Sequence, residues 1–236
     1  MLNENYLLAA LSPETHEKLA PHLKLVALQL GDILHHPGEV IKDLYFPLNC
    51  AISITITMQD GATAETGIVG SREMVGVNAF MGGKETTTTE FIVQVAGDAL
   101  KLDAQVLLAE FERNKEMRDV FLGYTQALIA QISQTAACNR LHPLEQRLGR
   151  WLLEVQDRIS SNELKLTQEF IADMLGVRRA GVTQAAQKLQ NDGLIKYSRG
   201  HVHILNQAGL EAAACECFGV VRDEYNRLLG AKKTTT

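Results

Sequence analysis

The sequence lacks the features of a membrane protein and of an exported one. No stretch approaches the roughly 18 apolar residues that a membrane-spanning helix needs. The N-terminal stretch MLNENYLLAALSPETHEKL has no basic region followed by an apolar core, so we expect no signal peptide. The four cysteines, Cys50, Cys138, Cys215 and Cys217, show no CxxC spacing. Together these absences predict a cytoplasmic protein with reduced thiols and without a membrane partner.

Signatures of catalysis are also missing. No nucleophile–base pair can be assigned, and the chain contains no glycine-rich phosphate loop. The HHPGE stretch (35–39) is close to the metal motif of cupin enzymes, but adjacent strand residues point to opposite faces, so the two imidazoles should not converge on one ion. The HVH (201–203) and CEC (215–217) stretches are better explained as local structure and buried thiols. We therefore expect no enzyme and no metal site, and a metal-dependent cupin-like enzyme is the least favoured alternative.

Basic residues are scarce in the first part of the chain. Residues 1–138 contain 9 Lys and Arg against 17 Asp and Glu, whereas residues 139–205 contain 10 against 7. A locally basic segment in a chain of net charge −5 suggests one surface for an anionic partner rather than a generally basic protein. A random fluctuation of a few charges is the alternative.

The first 110 residues contain a pattern of short strands. Ser12-Pro13-Glu14 predicts a helix start near the N-terminus, with Ser as the N-cap. From about residue 25 to 105, β-type runs are separated by Gly, Pro, Asn and Asp. In AISITIT (51–57), Ile alternates with Ser and Thr, which is typical of a half-buried strand. Several such strands indicate a sandwich or barrel.

A long helical stretch begins after residue 104, and an apolar seam runs along it. The seam residues recur at steps of three and four: Phe121, Tyr124, Leu128, Ile132 and Thr135. A narrow seam on a long helix predicts a dimer contact, and packing against the chain's own strands is the alternative. His142-Pro143 should end this helix, because the residue before proline resists the α conformation. Further amphipathic helices are predicted at 144–159 and 210–228.

The stretch LTQEFIADMLGVRRAGVTQAAQKLQNDGLIKYSRGHVHILN (166–206) predicts a helix-turn-helix followed by a wing. Thr167 is a good N-cap, and Gly176 can take the positive φ that ends the first helix. Val182 lies where a second helix would lock onto the first. LIKY and HVHIL then form a hairpin around Ser198-Arg199-Gly200, which is the wing.

The second helix presents a polar face opposite its buried one, with no acidic residue on that face before Asp192. Recognition helices enter the major groove N-terminus first, where Arg can bond guanine and Gln can bond adenine. Two arginines at a helix start are electrostatically unfavourable unless they meet an anion. We predict a DNA interface formed by this helix and the wing: Arg178, Arg179, Ala180, Thr183, Gln184, Gln187, Lys188, Arg199 and His201.

With these parts in order, the chain resembles the Crp/Fnr superfamily of bacterial transcription regulators along essentially its whole length. GDILHHPGEVIKDLYFPLNCAISI is similar to the family's β-roll opening, and TAACNRLHPLEQRLGRWLL and LTQEFIADMLGVRRAGVT resemble one subgroup more closely. The resemblance implies a homodimer in which an effector-sensing domain acts through the long helix on a DNA-binding domain. It also implies a pseudo-palindromic operator, with RNA polymerase as a candidate partner. Arg179 falls on the family's guanine-reading arginine, whereas Ala180 and Gln184 replace an acidic reader and a second arginine.

The effector region departs from the pattern of the cyclic-nucleotide-responsive members, which use a Gly-Glu pair and an Arg-Ser/Thr pair. In GSREMVGVNAFMGGKETTTTEFIVQ, threonines stand where the arginine belongs, and threonine cannot neutralise a phosphate. We predict an effector pocket at Glu73, Met74, Gly76, Thr87 and Thr88. The departure argues against cyclic AMP. The missing N-terminal cysteine cluster argues against an iron–sulphur cluster, and only His35 and His36 favour haem. No cofactor is identified.

The predicted fold is α+β. It comprises an N-terminal antiparallel β-roll (jelly roll) with an effector-sensing role at 1–110, a long dimerisation helix at 111–141, a winged helix-turn-helix domain at 142–230 and a disordered tail at 231–236. The predicted function is a dimeric DNA-binding regulator controlled by an unidentified small molecule. The alternative is a β-roll protein that senses a ligand or partner without sequence-specific DNA binding.

Overall fold

The structure is a computed structural model that describes residues 4–82 and 86–230. Two short helices come first, α1 (Tyr6–Ala9) and α2 (Pro13–Leu19). The predicted cap at the start of α2 is confirmed, because the Ser12 hydroxyl accepts from the backbone N–H of Thr15 and Pro13 occupies the first turn. The predicted disordered tail at 231–236 lies outside the described residues.

Two antiparallel sheets form the N-terminal domain, and their inner faces enclose an apolar core with Leu44, Phe46 and Ile52. The strands are β1 (Lys24–Leu28), β2 (Ile33–His35), β3 (Asp43–Pro47), β4 (Ala51–Thr57), β5 (Thr63–Val69), β6 (Glu90–Val95) and β7 (Gly97–Asp103). One sheet has the order β1-β7-β3, and the other has the order β2-β6-β4-β5. The predicted β-roll is therefore confirmed in these strands.

Three helices then connect the sheets to the C-terminal part: α3 (Ala104–Arg113), α4 (Lys115–Leu141) and α5 (Leu144–Ile159). Asn114 separates α3 from α4, and its side chain accepts from the backbone N–H of Met117 at the start of α4. The predicted end of the long helix is confirmed, since His142 before Pro143 takes an extended conformation.

The apolar seam of α4 faces the chain's own core. Phe121, Tyr124, Leu128 and Thr135 are buried in the single chain, and Ile132 packs against the same core. The Tyr124 hydroxyl donates to the carbonyl of Met74 at 2.7 Å. The prediction of a dimer contact at these five residues therefore needs correction, because the N-terminal domain already covers them. The intrachain alternative describes the seam.

The C-terminal part consists of β8 (Glu163–Lys165), α6 (Gln168–Leu175), α7 (Arg179–Asn191), β9 (Ile195–Ser198), β10 (His201–Ile204), α8 (Gln207–Ala213) and α9 (Cys217–Leu229). The predicted wing hairpin is present as β9 and β10, and β8 adds a third strand beside β10. The single helix predicted at 210–228 is instead two helices, because the chain becomes extended at Ala214. Helix α9 packs along α4.

Helix α5 joins the two domains by packing on the outer face of β4 and β5. Ala51 and Ile68 from the sheet share a core with Trp151 and Leu152 of α5. This contact explains why Ser53, predicted to face solvent, is buried. Gly70 allows the closest approach, since a Cβ atom there would stand 2.8 Å from the Arg158 Cα and closer still to its side chain. The domains therefore meet through a packed junction.

Candidate nucleic-acid interface and effector cavity

The helix-turn-helix is built from local signals that the sequence carries. The Thr167 side chain accepts from the backbone N–H of Phe170 and so caps α6. Gly176 ends α6 at φ +62°, a conformation that favours glycine, and its N–H bonds to carbonyls of the last turn. Ala172 and Val182 are both buried where α6 and α7 cross. These contacts place the start of α7 at the surface.

The predicted DNA-binding residues are all exposed. They are Arg178, Arg179, Ala180, Thr183, Gln184, Gln187, Lys188, Arg199 and His201. No side chain caps α7, and its first turn contains no acidic residue. The carboxylate within ion-pair range of Arg179 is Glu169 at 3.9 Å, and both side chains are about two-thirds exposed. Solvent screens such a pair, so Arg179 keeps a positive charge available to an anion.

Hydrogen bonds order part of this polar face before any partner arrives. The Thr183 hydroxyl lies 2.8 Å from the Gln168 amide oxygen, and the Gln187 amide donates to Asn191 at 2.8 Å. Lys188 differs from its neighbours, since its ammonium group bonds Glu145 of α5 at 2.9 Å, which raises the pKa of Lys188. Lys188 is therefore already engaged within the chain, whereas the ion pair found at the helix start among the described residues is the weak contact between Arg179 and Glu169.

The wing adds a second cation beside α7. Arg199 and Gly200 form a two-residue turn with φ of +48° and +80°, and Ser198 pairs with His201 across it. Arg179 and Arg199 line the same surface cleft, together with Thr167, Gln168, Tyr197 and Gly200. The Tyr197 hydroxyl fixes the hairpin by donating to the Leu166 carbonyl at 2.9 Å. The arrangement is a concave polar surface with two arginines, which suits a nucleic-acid backbone.

A cavity of about 340 Å³ lies between the second sheet and α4. Four of the predicted effector residues line it: Met74, Gly76, Thr87 and Thr88. Its remaining lining includes Phe91 from the sheet and Thr125, Leu128 and Ile132 from α4. The described lining is apolar apart from threonine hydroxyls and the Asn78 amide, and it contains no charged side chain. Lys84 and Glu85, which lie between Met81 and Thr86 in the sequence, are outside the described residues.

The fifth predicted effector residue, Glu73, has a different place. It is 1% exposed, does not line the cavity and bonds Arg158 of α5 at 2.9 Å. Its second oxygen accepts from the backbone N–H of Gly70. Arg158 in turn lies 5.5 Å from the centre of the Tyr225 ring. The prediction for Glu73 is therefore corrected: this carboxylate is held in the junction between the domains.

Comparisons with known proteins agree with this architecture. Residues 25–114 match the model of the cyclic nucleotide-binding domain, and residues 146–213 match that of the Crp-like helix-turn-helix domain. The chain is a Crp/Fnr-type transcription regulator. A search of curated proteins found no match to this regulator.

Several solved structures share the regulator's fold. A putative regulator of the Crp/Fnr family from Eubacterium rectale is 20% identical, with a TM-score of 0.69 over 89% of this chain and 98% of that one. FixK2 from Bradyrhizobium japonicum is 12% identical, with a TM-score of 0.70 over 82% and 98%. The c-di-GMP-responsive regulator CLP from Xanthomonas campestris is 17% identical, with a TM-score of 0.67 over 82% and 99%. At these identities the likeness describes the fold alone. None of the regulator's described helices has the length and apolar character of a membrane span.

One group of side chains escaped the sequence prediction. Cys138 and His142 at the end of α4 meet Cys215, between α8 and α9, and Cys217, the first residue of α9. One ligand atom from each lies within 4.8 Å of all the others. The sequence contained a usable signal, since a Cys and a His four residues apart share one helix face. Their partners lie about 75 residues further along the chain, so the convergence needed the fold. Such a set of sulphur and nitrogen donors can hold a metal ion.

Proposed function

We propose that this regulator binds a pseudo-palindromic DNA operator as a homodimer under the control of a small molecule that occupies the cavity beside α4. The observation that carries the proposal is the exposed cleft in which Arg179 of the second helix and Arg199 of the wing stand together. Because DNA is the proposed partner, the cytoplasm is the proposed place of action, with RNA polymerase as a candidate protein partner.

The residues at the start of α7 suggest how bases would be read. Arg179 is suited to bonding O6 and N7 of guanine, and Gln184 is suited to bonding adenine in the same manner. Arg178, one residue before the helix, is suited to a phosphate contact. Ala180 occupies the position of the acidic residue in cyclic-AMP-responsive members. Its methyl side chain cannot accept a hydrogen bond from cytosine N4. We therefore expect an operator that differs from theirs at this position.

A second face of α4 supports a dimer. The outer stripe consists of exposed residues at alternating steps of four and three: Leu122, Gln126, Ile129, Ser133, Ala136 and Arg140. This spacing is the heptad repeat of a two-stranded coiled coil. Leu122 is 47% exposed and Ile129 is 55% exposed, so the stripe presents two large apolar side chains to solvent in the single chain. Pairing of two stripes would set two copies of α7 about one DNA turn apart, as in dimeric helix-turn-helix proteins.

The cavity supports an effector that is mostly uncharged. Its threonine hydroxyls can hydrogen-bond a ligand, but the described lining offers no cation to neutralise a cyclic phosphate. Ile129 belongs both to the cavity wall and to the outer stripe, so a ligand there would touch the dimer contact.

The lack of a cation in the described lining disfavours a cyclic nucleotide. Thermal melting of the protein with and without cyclic AMP tests this directly. A clear rise in Tm with cyclic AMP would overturn the neutral-ligand proposal.

Selection of duplexes from a random DNA library tests the proposed function. The full chain should enrich two inverted half-sites with centres about one helical turn apart. Titration of the selected site at two salt concentrations should show weaker binding at higher salt, because phosphate contacts release counterions. If no sequence is enriched and binding does not depend on salt, the β-roll would be a sensor that does not act through DNA.

A further inference from the structure

Four metal-binding side chains converge where the long helix meets the C-terminal domain. Cys138 and Cys215 approach to 3.5 Å between sulphur atoms, and the Cys217 sulphur lies 3.4 Å from Nδ1 of His142. All three cysteines are free thiols and buried, and His142 is partly buried. The cluster therefore combines soft donors with restricted access of water, and no part of the proposed DNA or effector site uses it.

The spacing of these atoms matches a tetrahedral metal site. With Zn–S near 2.3 Å and Zn–N near 2.05 Å, a tetrahedron has edges of about 3.8 Å between two sulphurs and about 3.5 Å between sulphur and nitrogen. Two of the six separations, 3.5 and 3.4 Å, fall close to these values, and all six are within 4.8 Å. Three cysteines and one histidine form a common ligand set of structural zinc. A sulphur separation of 3.5 Å is far longer than a disulfide bond, so the pair is not covalently joined.

Neighbouring groups complete the environment that such a site needs. Nε2 of His142 lies 3.4 Å from a Glu216 carboxylate oxygen, so its N–H can donate there while Nδ1 faces the cluster. The Gln134 amide donates to the Cys217 sulphur at 3.1 Å. Arg147 and Arg150 on α5 lie close enough to Cys138 and Cys215 for their charges to interact. Zn²⁺ with three thiolates carries one net negative charge, which Arg147 can offset, whereas Arg150 is already paired with Glu154 at 2.7 Å.

We propose that Cys138, His142, Cys215 and Cys217 bind one Zn²⁺, and that the ion clamps the end of α4 to the junction of α8 and α9. Binding releases the three thiol protons and changes no oxidation state. The clamp acts across the break at His142-Pro143, the point at which the chain leaves the long helix for the DNA-binding domain. Zinc would thereby fix the direction in which that domain leaves α4.

Metal analysis of the full chain tests the site. Protein purified under reducing conditions without a histidine tag should contain about one zinc per chain. After chelation, titration with Co²⁺ should give the visible absorption of tetrahedral cobalt and a sulphur-to-cobalt band in the near ultraviolet. Cys215→Ser and Cys217→Ser should each lose bound zinc. Cys50→Ser is the matched control, because Cys50 is a buried thiol outside the cluster, and it should keep the metal.

The clamp has its own readout. Arg140 is exposed in the last turn of α4, and trypsin should cleave after it about tenfold more slowly in the zinc-loaded protein than in the chelated one. Full zinc in both cysteine variants, or well-folded wild-type protein that takes up neither zinc nor tetrahedral cobalt, would overturn the site. Equal cleavage with and without bound zinc would overturn the clamp. None of these measurements requires DNA, and the metal content does not depend on the proposed function. Because Arg140 also lies on the outer stripe, its cleavage is compared with and without zinc in the Leu122→Glu variant, in which dimer formation cannot shield it.

Discussion

At the scale of single residues, Arg178 and Arg179 stand where a helix start normally favours an anion. The unpaired N–H groups there carry a partial positive charge, and a cation beside them costs about 0.3–1 kcal/mol. Neither a side-chain cap nor an acidic first-turn residue compensates in α7. A DNA phosphate or a guanine edge would supply the missing acceptor. The position is thus unfavourable for the free protein and favourable for a complex with DNA.

Replacement of Arg179 by Ala separates base reading from phosphate binding. We expect Arg179→Ala to weaken binding to the selected operator by about 1–3 kcal/mol and to relax specificity at one base pair. Arg178→Ala is the comparison, and it should weaken binding to all sequences alike and lower the salt dependence. Binding measured against a panel of single-base operator variants distinguishes the two. An equal loss on every sequence for Arg179→Ala would make this residue a phosphate contact.

Glu65 is a second unusual residue, since its carboxyl is buried in the junction between the domains. Its oxygens accept from the Trp151 indole N–H at 2.8 Å and lie 2.6 Å from the Ser53 hydroxyl. The same hydroxyl lies 2.7 Å from the Gln94 amide oxygen. The Ser53 hydroxyl has one proton and can donate to only one of these two oxygens. If Glu65 is protonated, it donates to the Ser53 oxygen, and Ser53 then donates to Gln94. Burial agrees with this, because it raises the pKa of Glu65 to about 7.

This raised pKa predicts a loss of stability as the pH rises. The folded state holds the Glu65 proton more tightly than the unfolded state, so its contribution is complete below pH 4.5 and is lost as the pH rises to about 7. The difference corresponds to about 3 kcal/mol. Urea unfolding at pH 5 and pH 8 should show this loss in the wild type and not in Glu65→Gln, whose amide keeps both hydrogen-bond partners. The same pH response in both proteins would exclude Glu65 as its source.

At the scale of elements, α4 has a buried apolar seam and an exposed outer stripe. The sequence predicted the dimer contact at the seam, which is the more apolar of the two. Phe121, Tyr124 and Leu128 recur at helical spacing, but periodicity does not reveal which surface covers them. The sheets of the same chain cover these residues, and the outer stripe remains exposed. The stripe is harder to detect because Gln126 and Ser133 alternate with its apolar residues.

A charge on each face of α4 should have a different effect. Leu122→Glu places a charge on the outer stripe, away from the cavity lining, and should convert dimers to folded monomers in sedimentation experiments. Leu128→Glu should instead destabilise the fold, since it buries a carboxylate in the core. Leu30→Glu is the control, because Leu30 is 61% exposed at a site remote from the helix in sequence. If Leu122→Glu still forms dimers, the dimer contact does not lie on the outer stripe.

The elements that the sequence predicted best are those specified by nearby residues. The caps at Ser12 and Thr167, the glycine turn at Gly176 and the wing turn at Arg199-Gly200 depend on neighbours within a few positions. The pairing of Glu73 with Arg158 and the cysteine cluster depend on residues about 80 positions apart. No local sequence pattern encodes such contacts. The positions of Glu73 and of the three thiols depend on these contacts, so the sequence did not predict them.

At the scale of the whole molecule, the two domains share buried polar contacts as well as apolar ones. The Arg158 guanidinium bonds Glu73 at 2.9 Å, and both side chains are buried. Arg72 reaches the C-terminal helix α9 through Asn226 at 3.0 Å. These bonds tie the N-terminal sheets to α5 and α9. The N-terminal sheets and the C-terminal helices are therefore joined by a continuous set of buried contacts.

Removal of Arg158 should loosen this junction. Arg158→Leu leaves the buried Glu73 carboxylate unpaired, which we expect to cost about 3–5 kcal/mol of unfolding free energy. Calorimetry should then resolve two transitions where the wild type shows one. The double variant Glu73→Gln with Arg158→Leu should recover part of the loss, because no charge is then left buried. A single unchanged transition in Arg158→Leu would indicate that apolar packing alone holds the domains together.

The contact at Gly70 limits how this protein can change by mutation. Every other residue type adds a Cβ atom, and that atom would overlap Arg158 and push α5 away from the sheet. A single methyl group at this position would therefore alter the angle between the N-terminal domain and the DNA-binding domain. It would do so without contacting the cavity or the recognition helix. Substitutions there offer a route to variants permanently biased towards one regulatory state, and Gly70 belongs neither to the cavity lining nor to the recognition helix.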